Sequence, residues 1–134
     1  MTTDPKAALA VLDTPAAIID AARMQANIAR MQARMNALGV RFRPHVKTSK
    51  CLPVVRAQLA AGAQGITVST LKEAEEFFAA GINDILYAVG IAPGKLEKVL
   101  ALRRQGCALK IITEIDVRSE CRRKPLLEIL PRHH

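Results

Sequence analysis

Apolar and polar residues follow two different periods along the chain, and the two periods predict strands and helices in alternation. Short, mostly apolar runs of the kind that form strands are followed by stretches in which apolar residues recur at steps of three and four, as in amphipathic helices. The predicted strands cover residues 16–19, 40–46, 65–68, 84–89 and 109–113, and the predicted helices cover residues 21–38, 52–61, 71–80 and 95–105. This alternation is typical of an α/β fold with a parallel sheet.

The first predicted helix has the clearest amphipathic pattern. Asp20 is placed to cap its first turn, and Gly39 ends it. One apolar stripe runs along this helix and consists of Met24, Ile28, Met31, Met35 and Leu38. We expect the methionines to pack against neighbouring elements rather than to bind a ligand.

Repeated βα units form either a doubly wound sheet or a (β/α)8 barrel, and periodicity leaves both open. No G-x-G-x-x-G motif follows the first predicted strand, which disfavours a dinucleotide-binding sheet. A complete barrel takes about 250 residues, whereas this chain has 134. In the barrel interpretation, the sequence therefore predicts a partial (β/α)8 TIM-type barrel, with about four βα units and one further strand.

Composition narrows the choice of partners. The chain is 50% apolar, and its formal charge of +8 comes from basic residues scattered along the sequence. Aromatic residues make up 3% of the chain, so no nucleic-acid partner is predicted, and the charge either attracts an anionic ligand or forms a solvated surface. No apolar run approaches the roughly 20 residues that cross a bilayer, and the N-terminus lacks a signal-peptide pattern. We expect no membrane partner, a cytoplasmic location, and reduced thiols at Cys51, Cys107 and Cys121.

The segment RFRPHVKTSK, residues 41–50, carries the strongest candidate chemistry. Because strand side chains alternate, Arg43, His45 and Lys47 share one face, and Phe42 and Val46 share the other. If the apolar face packs on helices, Lys47 points inward at the carboxyl end of its strand, where barrel enzymes hold their active sites. Neighbouring positive charge also favours the neutral, nucleophilic amine of a lysine. A solvated edge strand with basic side chains fits the same spacing.

The same segment resembles a known family. RPHVKTSK, which follows a helix that begins after TPAAIID, is similar to the cofactor-lysine segment of the D-threonine aldolase and D-serine dehydratase family, whose barrel is of the alanine racemase type. Further matches follow in the family's order, at Leu12-Asp13-Thr14-Pro15, Asn27, Ala61-Gly62-Ala63, Thr70-x-x-Glu73-Ala74 and Asp84-Ile85-Leu86. The resemblance therefore extends over most of the predicted βα region.

The resemblance implies an enzyme that uses pyridoxal 5'-phosphate (PLP) and acts on D-3-hydroxy amino acids, by retro-aldol cleavage or by elimination of water. It implies that Lys47 forms a Schiff base with PLP and later acts as an acid or base. Lys50 is interpreted as a solvated loop lysine. His45, Arg43 and Tyr87 are further candidate cofactor contacts, although His45 can equally be a hydrogen-bonded interior residue and Tyr87 can equally fill a barrel layer. The family also binds an activating divalent metal, and its ligands cannot be assigned to this chain.

Near residue 113 the resemblance breaks down, so we expect a partial PLP-binding barrel domain at residues 1–113 and an atypical tail at residues 114–134. Lys110–Thr113 resembles the family's fifth strand and Glu114–Val117 resembles a later one, with no helix between them. The following residues depart from the family, which predicts an internal deletion followed by a shifted reading frame or an unrelated tail. A partial barrel has unpaired strand edges, and homo-oligomerisation is therefore expected.

Two other functions stay open. A small PLP-binding protein of the homeostasis type would hold the cofactor on a lysine without strong turnover. A non-catalytic α/β fragment would bind no ligand. Cofactor binding without consumption of D-amino acids would favour the first alternative, and a folded chain that does not bind the cofactor would favour the second.

Overall fold

The computed structural model describes residues 9–112 of the chain. Within that range the elements are α1 Ala21–Ala37, α2 Leu52–Ala60, β1 Ile66–Val68, α3 Leu71–Ala79, β2 Asp84–Gly90, α4 Leu96–Arg104 and β3 Ala108–Ile112. A short 3-10 turn at Pro93–Lys95 leads into α4. The four predicted helices and the last three predicted strands are confirmed to within about two residues at each end. The predicted tail at residues 114–134 lies outside the described residues.

Local signals explain where α1 begins and ends. The Asp20 side chain accepts a hydrogen bond from the Arg23 N–H at 2.9 Å, which satisfies a free donor of the first turn. Gly39, just beyond the helix, has a φ of +65°, a conformation that glycine adopts without strain. The predicted cap and stop of this helix are therefore confirmed.

The three strands form a parallel sheet in the order β1-β2-β3, so each strand pairs with its neighbour in the sequence. Residues 42–47, which we call the lysine segment, extend the sheet beside β1 through a single bridge between His45 and Thr67. The Val46 N–H donates to the Thr67 carbonyl at 2.9 Å, and the Thr67 N–H donates to the Pro44 carbonyl at 2.8 Å. The lysine segment is therefore the next member of the parallel arrangement, although it is too short to count as a strand.

One face of the sheet packs against the helices. Ile85 pairs with Ile66 on one side and Leu109 on the other, and all three side chains are fully buried. The same core also contains Val46, Val55, Val68, Leu71, Ala74, Phe77, Val99 and Leu102. Val46 thus faces the core, as the alternation of the lysine segment predicted.

The opposite face, which we call the inner face, is largely polar. By alternation and register it carries Arg43, His45, Lys47, Thr67, Ser69, Asp84, Leu86 and Lys110. Contacts across neighbouring segments support this assignment, because Asp84 binds both Arg43 and Lys110. The three basic residues that the sequence assigned to one face therefore lie on it together.

Two strand predictions near the N-terminus are wrong. Residues 16–19 form no strand, and Ile18 and Ile19 are 69% and 52% exposed. A strand needs the backbone of a partner, and among residues 9–112 none pairs with this stretch. Residues 40–46 contribute only the bridge at His45, because Pro44 has no N–H with which to extend the ladder.

The apolar stripe of α1 is covered only in part. Met24 and Met35 are half-buried, whereas Met31 is 46% exposed and Leu38 is 60% exposed. Within the described range α1 packs mainly on α2, a shorter helix, and Met31 in the middle of the stripe stays exposed. The packing prediction therefore holds for Met24 and Met35 and fails for Met31.

No helix in the described range combines the length and the apolar character that a bilayer crossing requires.

Candidate functional site

Lys47 lies at the end of the lysine segment, where the chain leaves the sheet. Its side chain is exposed on the inner face. The turn that follows is closed by the Lys50 N–H, which donates to the Val46 carbonyl at 2.9 Å. Val46 is 1% exposed and anchors this turn in the core. Lys47 is therefore held at the carboxyl end of an inward-facing segment, the position that active-site residues take in barrels.

His45 connects Lys47 to the end of β1. Its Nδ1 accepts a hydrogen bond from the Lys47 N–H at 3.2 Å, and its Nε2 lies 3.2 Å from the Ser69 Oγ. A neutral imidazole carries one proton, so an accepting Nδ1 places that proton on Nε2, which then donates to the Ser69 hydroxyl. Partial burial and the Lys47 charge lower the pKa of His45, and the Glu73 carboxylate opposes them only in part. His45 is therefore a neutral group at neutral pH, and its two contacts fix its tautomer.

A buried carboxylate, Glu73, joins the loop after β1 to the turn after Lys47. The Thr70 Oγ1 accepts from the Glu73 N–H at 3.0 Å, while the Glu73 Oε2 accepts from the Ser69 N–H at 2.8 Å. The Glu73 Oε2 also accepts from the Thr70 N–H at 3.3 Å, and the two contacts between Thr70 and Glu73 form a capping box at the start of α3. The other carboxylate oxygen, Oε1, lies 3.1 Å from the Lys50 Nζ. Lys50, predicted to be a solvated loop lysine, is thus exposed and also ion-paired.

The charge state of Glu73 follows from its contacts. Burial raises the pKa of Glu73, but the hydrogen bonds from the Ser69 N–H and from Lys50 outweigh burial, and the net pKa is below its ordinary value. Glu73 is therefore ionised at neutral pH even though it is 9% exposed. A buried charge of this kind depends on its partners, because removing one of them leaves the charge poorly solvated.

Arg43 lies in a second cluster, toward the amino-terminal end of the sheet. Its guanidinium donates to both carboxylate oxygens of Asp84, at 3.0 and 2.6 Å, and the Lys110 Nζ donates to the same carboxylate at 2.7 Å. Hydrogen bonding from Arg43 is the largest of the effects that lower the pKa of Asp84 to about 2. Arg43 and Lys47 are four positions apart, which corresponds to about 13 Å of extended chain. Arg43 therefore binds Asp84 and does not contact Lys47. Of the predicted cofactor contacts, only His45 is hydrogen-bonded to Lys47.

Tyr87, the remaining candidate contact, faces the helices. It pairs in register with Val68 and is fully buried in the core, three positions from Asp84 and hence on the opposite face. Its hydroxyl accepts a hydrogen bond from the Lys95 Nζ at 3.3 Å. The geometry therefore agrees with the interpretation that Tyr87 fills a layer of the barrel. A cofactor contact for Tyr87 stays a prediction.

Residue patterns in the sequence pointed to Lys47 and His45 but not to the partners that hold them. The Thr70-x-x-Glu73 spacing is a capping-box signal and indicated where α3 begins, but it did not indicate the pairing of Glu73 with Lys50. The Arg43–Asp84 pair spans 41 positions, and no local pattern reports such a contact. In the described range, no group of three His, Cys, Asp or Glu side chains is arranged to hold a metal ion.

Comparison with known proteins assigns the family. Residues 19–122 match the family described as alanine racemase, N-terminal domain. The chain belongs to this family. The partial barrel expected from the sequence is thereby confirmed, since the parallel arrangement of βα units found here is part of that fold.

Individual relatives carry the names of enzymes of D-amino acids. The chain is 70% identical over 106 residues to a D-threo-3-hydroxyaspartate dehydratase from Delftia sp. (strain HT23), which corresponds to 79% of this chain and 28% of the relative. It is 41% identical over 97 residues to a D-threonine aldolase from Arthrobacter sp., with 72% and 26% covered. It is 36% identical over 96 residues to a D-serine dehydratase from Dictyostelium discoideum, with 68% and 24% covered. The suspected relationship to D-threonine aldolases and D-serine dehydratases is therefore confirmed.

A solved structure of the Delftia dehydratase superposes on this chain with a TM-score of 0.76 at 70% identity, over 78% of this chain and 28% of that chain. A variant of a D-threo-3-hydroxyaspartate dehydratase, 66% identical to this chain, has been solved in a metal-free form. The chain spans about a quarter of the length of the relatives it matches.

Proposed function

We propose that this chain carries the lysine-bearing part of a PLP-dependent lyase that acts on D-3-hydroxy amino acids. The position of Lys47 carries the proposal, because its amine is exposed on the inner face at the carboxyl end of its segment. The relatives support the substrate class, since threonine, serine and 3-hydroxyaspartate all bear a hydroxyl on the carbon next to Cα. Cleavage at that carbon and loss of that hydroxyl are both lyase reactions.

The described residues fit the aldehyde of PLP. Among residues 9–112, no carboxylate lies within ion-pairing distance of the Lys47 Nζ, whereas Lys50 is paired with Glu73. The Lys47 amine is therefore available to an aldehyde that enters from the inner face. Arg43 is already bound to Asp84, and we therefore assign the PLP phosphate to groups other than Arg43.

When bound, PLP supplies an electron sink for charge that develops on the substrate Cα. In the proposed site, Lys47 holds the cofactor through its Nζ and accepts or returns a proton at the substrate. His45 fixes the Lys47 backbone and, as a neutral ring, adds no second cation beside the amine. We assign the divalent metal that the resemblance implies to residues outside the described range.

The proposal extends to location and assembly. The cytoplasmic location expected from the sequence stays part of the proposal. Self-association through β3 is expected because, in the described range, the outer edge of β3 pairs with no other strand. Size-exclusion chromatography of the purified chain would test it, and a monomer at high protein concentration would contradict it.

Borohydride trapping tests the site directly. The chain is mixed with PLP, reduced with borohydride, digested and mapped by mass spectrometry. Borohydride delivers a hydride to a carbon–nitrogen double bond between a lysine amine and an aldehyde, and the label becomes permanent. We expect Lys47 to carry most of the label in the unmodified chain and Lys47→Ala to abolish it. Lys98→Ala, which removes an exposed lysine of α4, is the control that retains the label.

The outcomes separate the candidate functions. Selective labelling of Lys47, together with consumption of D-threonine, D-serine or D-threo-3-hydroxyaspartate, would establish the lyase. Selective labelling without consumption of any of these would favour the cofactor-carrier alternative. Uniform labelling of the exposed lysines by a folded chain would contradict a PLP site at Lys47.

A further inference from the structure

Glu73 reaches the turn after Lys47 by two separate routes. Its Oε1 pairs with the Lys50 Nζ at 3.1 Å, at the far end of that turn. Its Oε2 accepts from the Ser69 N–H at 2.8 Å, and the Ser69 hydroxyl lies against His45, which in turn accepts from the Lys47 N–H. One carboxylate is therefore linked to both sides of Lys47, directly to Lys50 and through Ser69 to His45.

The turn that Glu73 contacts has an unusual backbone conformation. Lys50 has a φ of +44°, a value that residues with a side chain rarely adopt. Such a conformation persists when surrounding contacts fix it. Two contacts do so here, namely the hydrogen bond from the Lys50 N–H to the Val46 carbonyl and the ion pair with Glu73. The ion pair therefore holds a turn that is otherwise unfavourable.

Helix capping alone does not require a charge at this position. A capping box accepts glutamine as well as glutamate, since either side chain can bond the backbone N–H groups before the helix. Only a carboxylate can pair with the Lys50 ammonium. The capping role and the ion-pair role of Glu73 are thus separable by a single substitution, Glu73→Gln.

We propose that Glu73 is a positioning residue for Lys47, which holds the turn so that the amine of Lys47, rather than that of Lys50, reaches the cofactor. The part of this inference that concerns the cofactor rests on the proposed function. The pairing of Lys50 with Glu73 restrains the competing amine, and the contact through Ser69 fixes the imidazole that binds the Lys47 backbone. Lys47 itself is left without a carboxylate partner in the described residues.

The test compares Glu73→Gln with Glu76→Gln, a matched control on the same helix. Glu76 is exposed and pairs with Lys72 at 2.7 Å, away from the turn. Two readouts are used: the ratio of borohydride label on Lys50 to that on Lys47, and hydrogen exchange of the Lys47 and Lys50 amides measured by NMR without PLP. For Glu73→Gln we expect the label ratio and both exchange rates to rise about two- to fivefold, the range for loss of one partly exposed ion pair. Glu76→Gln is expected to leave all three unchanged.

Substitution of Lys50 provides a rescue test. Lys50→Gln removes the ion pair and is expected to speed exchange of the Lys47 amide to the same extent as Glu73→Gln. Lys50→Arg retains a cation that can bind the carboxylate and is expected to keep slow exchange. A merely structural effect of any substitution in the turn would make the two variants behave alike.

The inference and the proposed function fail in different ways. Unchanged exchange and an unchanged label ratio in Glu73→Gln would overturn the positioning role while leaving Lys47 as the PLP lysine. If the unmodified chain labels no lysine selectively, the proposed function fails, and the exchange rates by themselves decide whether Glu73 holds the turn.

Discussion

Replacing Asp84 with asparagine removes the charge that Arg43 and Lys110 share while keeping the size of the side chain. Asp84 is the first residue of β2, and its carboxylate receives two hydrogen bonds from Arg43 and one from Lys110. These contacts join the lysine segment to β2 and β3 across the inner face. Asp84→Asn leaves the two cations close together without their shared counter-charge, and we expect the chain to lose stability.

The pKa of Asp84 gives the size and sign of this loss. Hydrogen bonding from Arg43, opposed by burial and aided by Lys110, lowers the pKa from 3.8 to about 2. Because the folded chain binds this proton more weakly than the unfolded chain, the stabilisation is fully present above about pH 4 and is lost as the pH falls toward about 2. The lowered pKa corresponds to about 2 kcal/mol. Since Lys110 is 47% exposed, solvent screening reduces the expected contribution to about 1–2 kcal/mol.

Urea unfolding followed by circular dichroism, from neutral pH to about pH 2, measures this contribution. At pH 7 we expect Asp84→Asn to lower the free energy of unfolding by about 1–2 kcal/mol, and we expect the difference from the unmodified chain to shrink below about pH 4. Asp20→Asn is the control, because asparagine caps a helix as well as aspartate and the Arg23 partner is exposed. Equal stabilities at pH 7, or a difference that persists unchanged at low pH, would refute the reasoning.

Three further substitutions test other parts of the structure. Gly65→Ala should lower the free energy of unfolding in urea by more than about 2 kcal/mol, because an added Cβ would lie 2.5 Å from the Asp84 carbonyl oxygen. Gly94→Ala is the control and should have little effect, because its added Cβ meets nothing within 4 Å. Equal losses in the two variants would count against this explanation. Tyr87→Phe should lower the free energy of unfolding by about 1 kcal/mol, because the hydrogen bond from Lys95 to the hydroxyl is lost. Borohydride labelling of Lys47 should stay the same in this variant. Reduced labelling would instead indicate that Tyr87 contacts the cofactor. Thr70→Ala should cost about 1 kcal/mol and Thr70→Ser should recover most of it, and similar losses in both variants would argue against capping by the hydroxyl.

Helix boundaries were predictable because their signals are local. Asp20 and Gly39 lie next to the ends of α1, and the apolar steps within each helix come from residues one turn apart. The early strands were not predictable in the same way. Residues 16–19 are apolar enough for a strand, but strand formation depends on a partner backbone that sequence periodicity does not reveal.

In the candidate site too, features set by neighbouring residues were predictable, whereas contacts between residues far apart in the chain were not. Alternation along the lysine segment correctly placed Lys47 and His45 on one face, since that property depends on neighbouring residues alone. It did not reveal that Arg43 is bound by Asp84, because that contact joins residues far apart in the chain. Nor did it reveal which face of β2 carries Tyr87, since that depends on the register with β1.

The order of the strands in the sheet has a consequence for biosynthesis. The lysine segment, β1, β2 and β3 lie side by side in the order in which a ribosome produces them. Each pairing joins segments that are separated by one helix, so each unit can dock as soon as it emerges. We therefore expect the Lys47 turn and the Glu73 carboxylate beside it to assemble early, while the chain is still being translated.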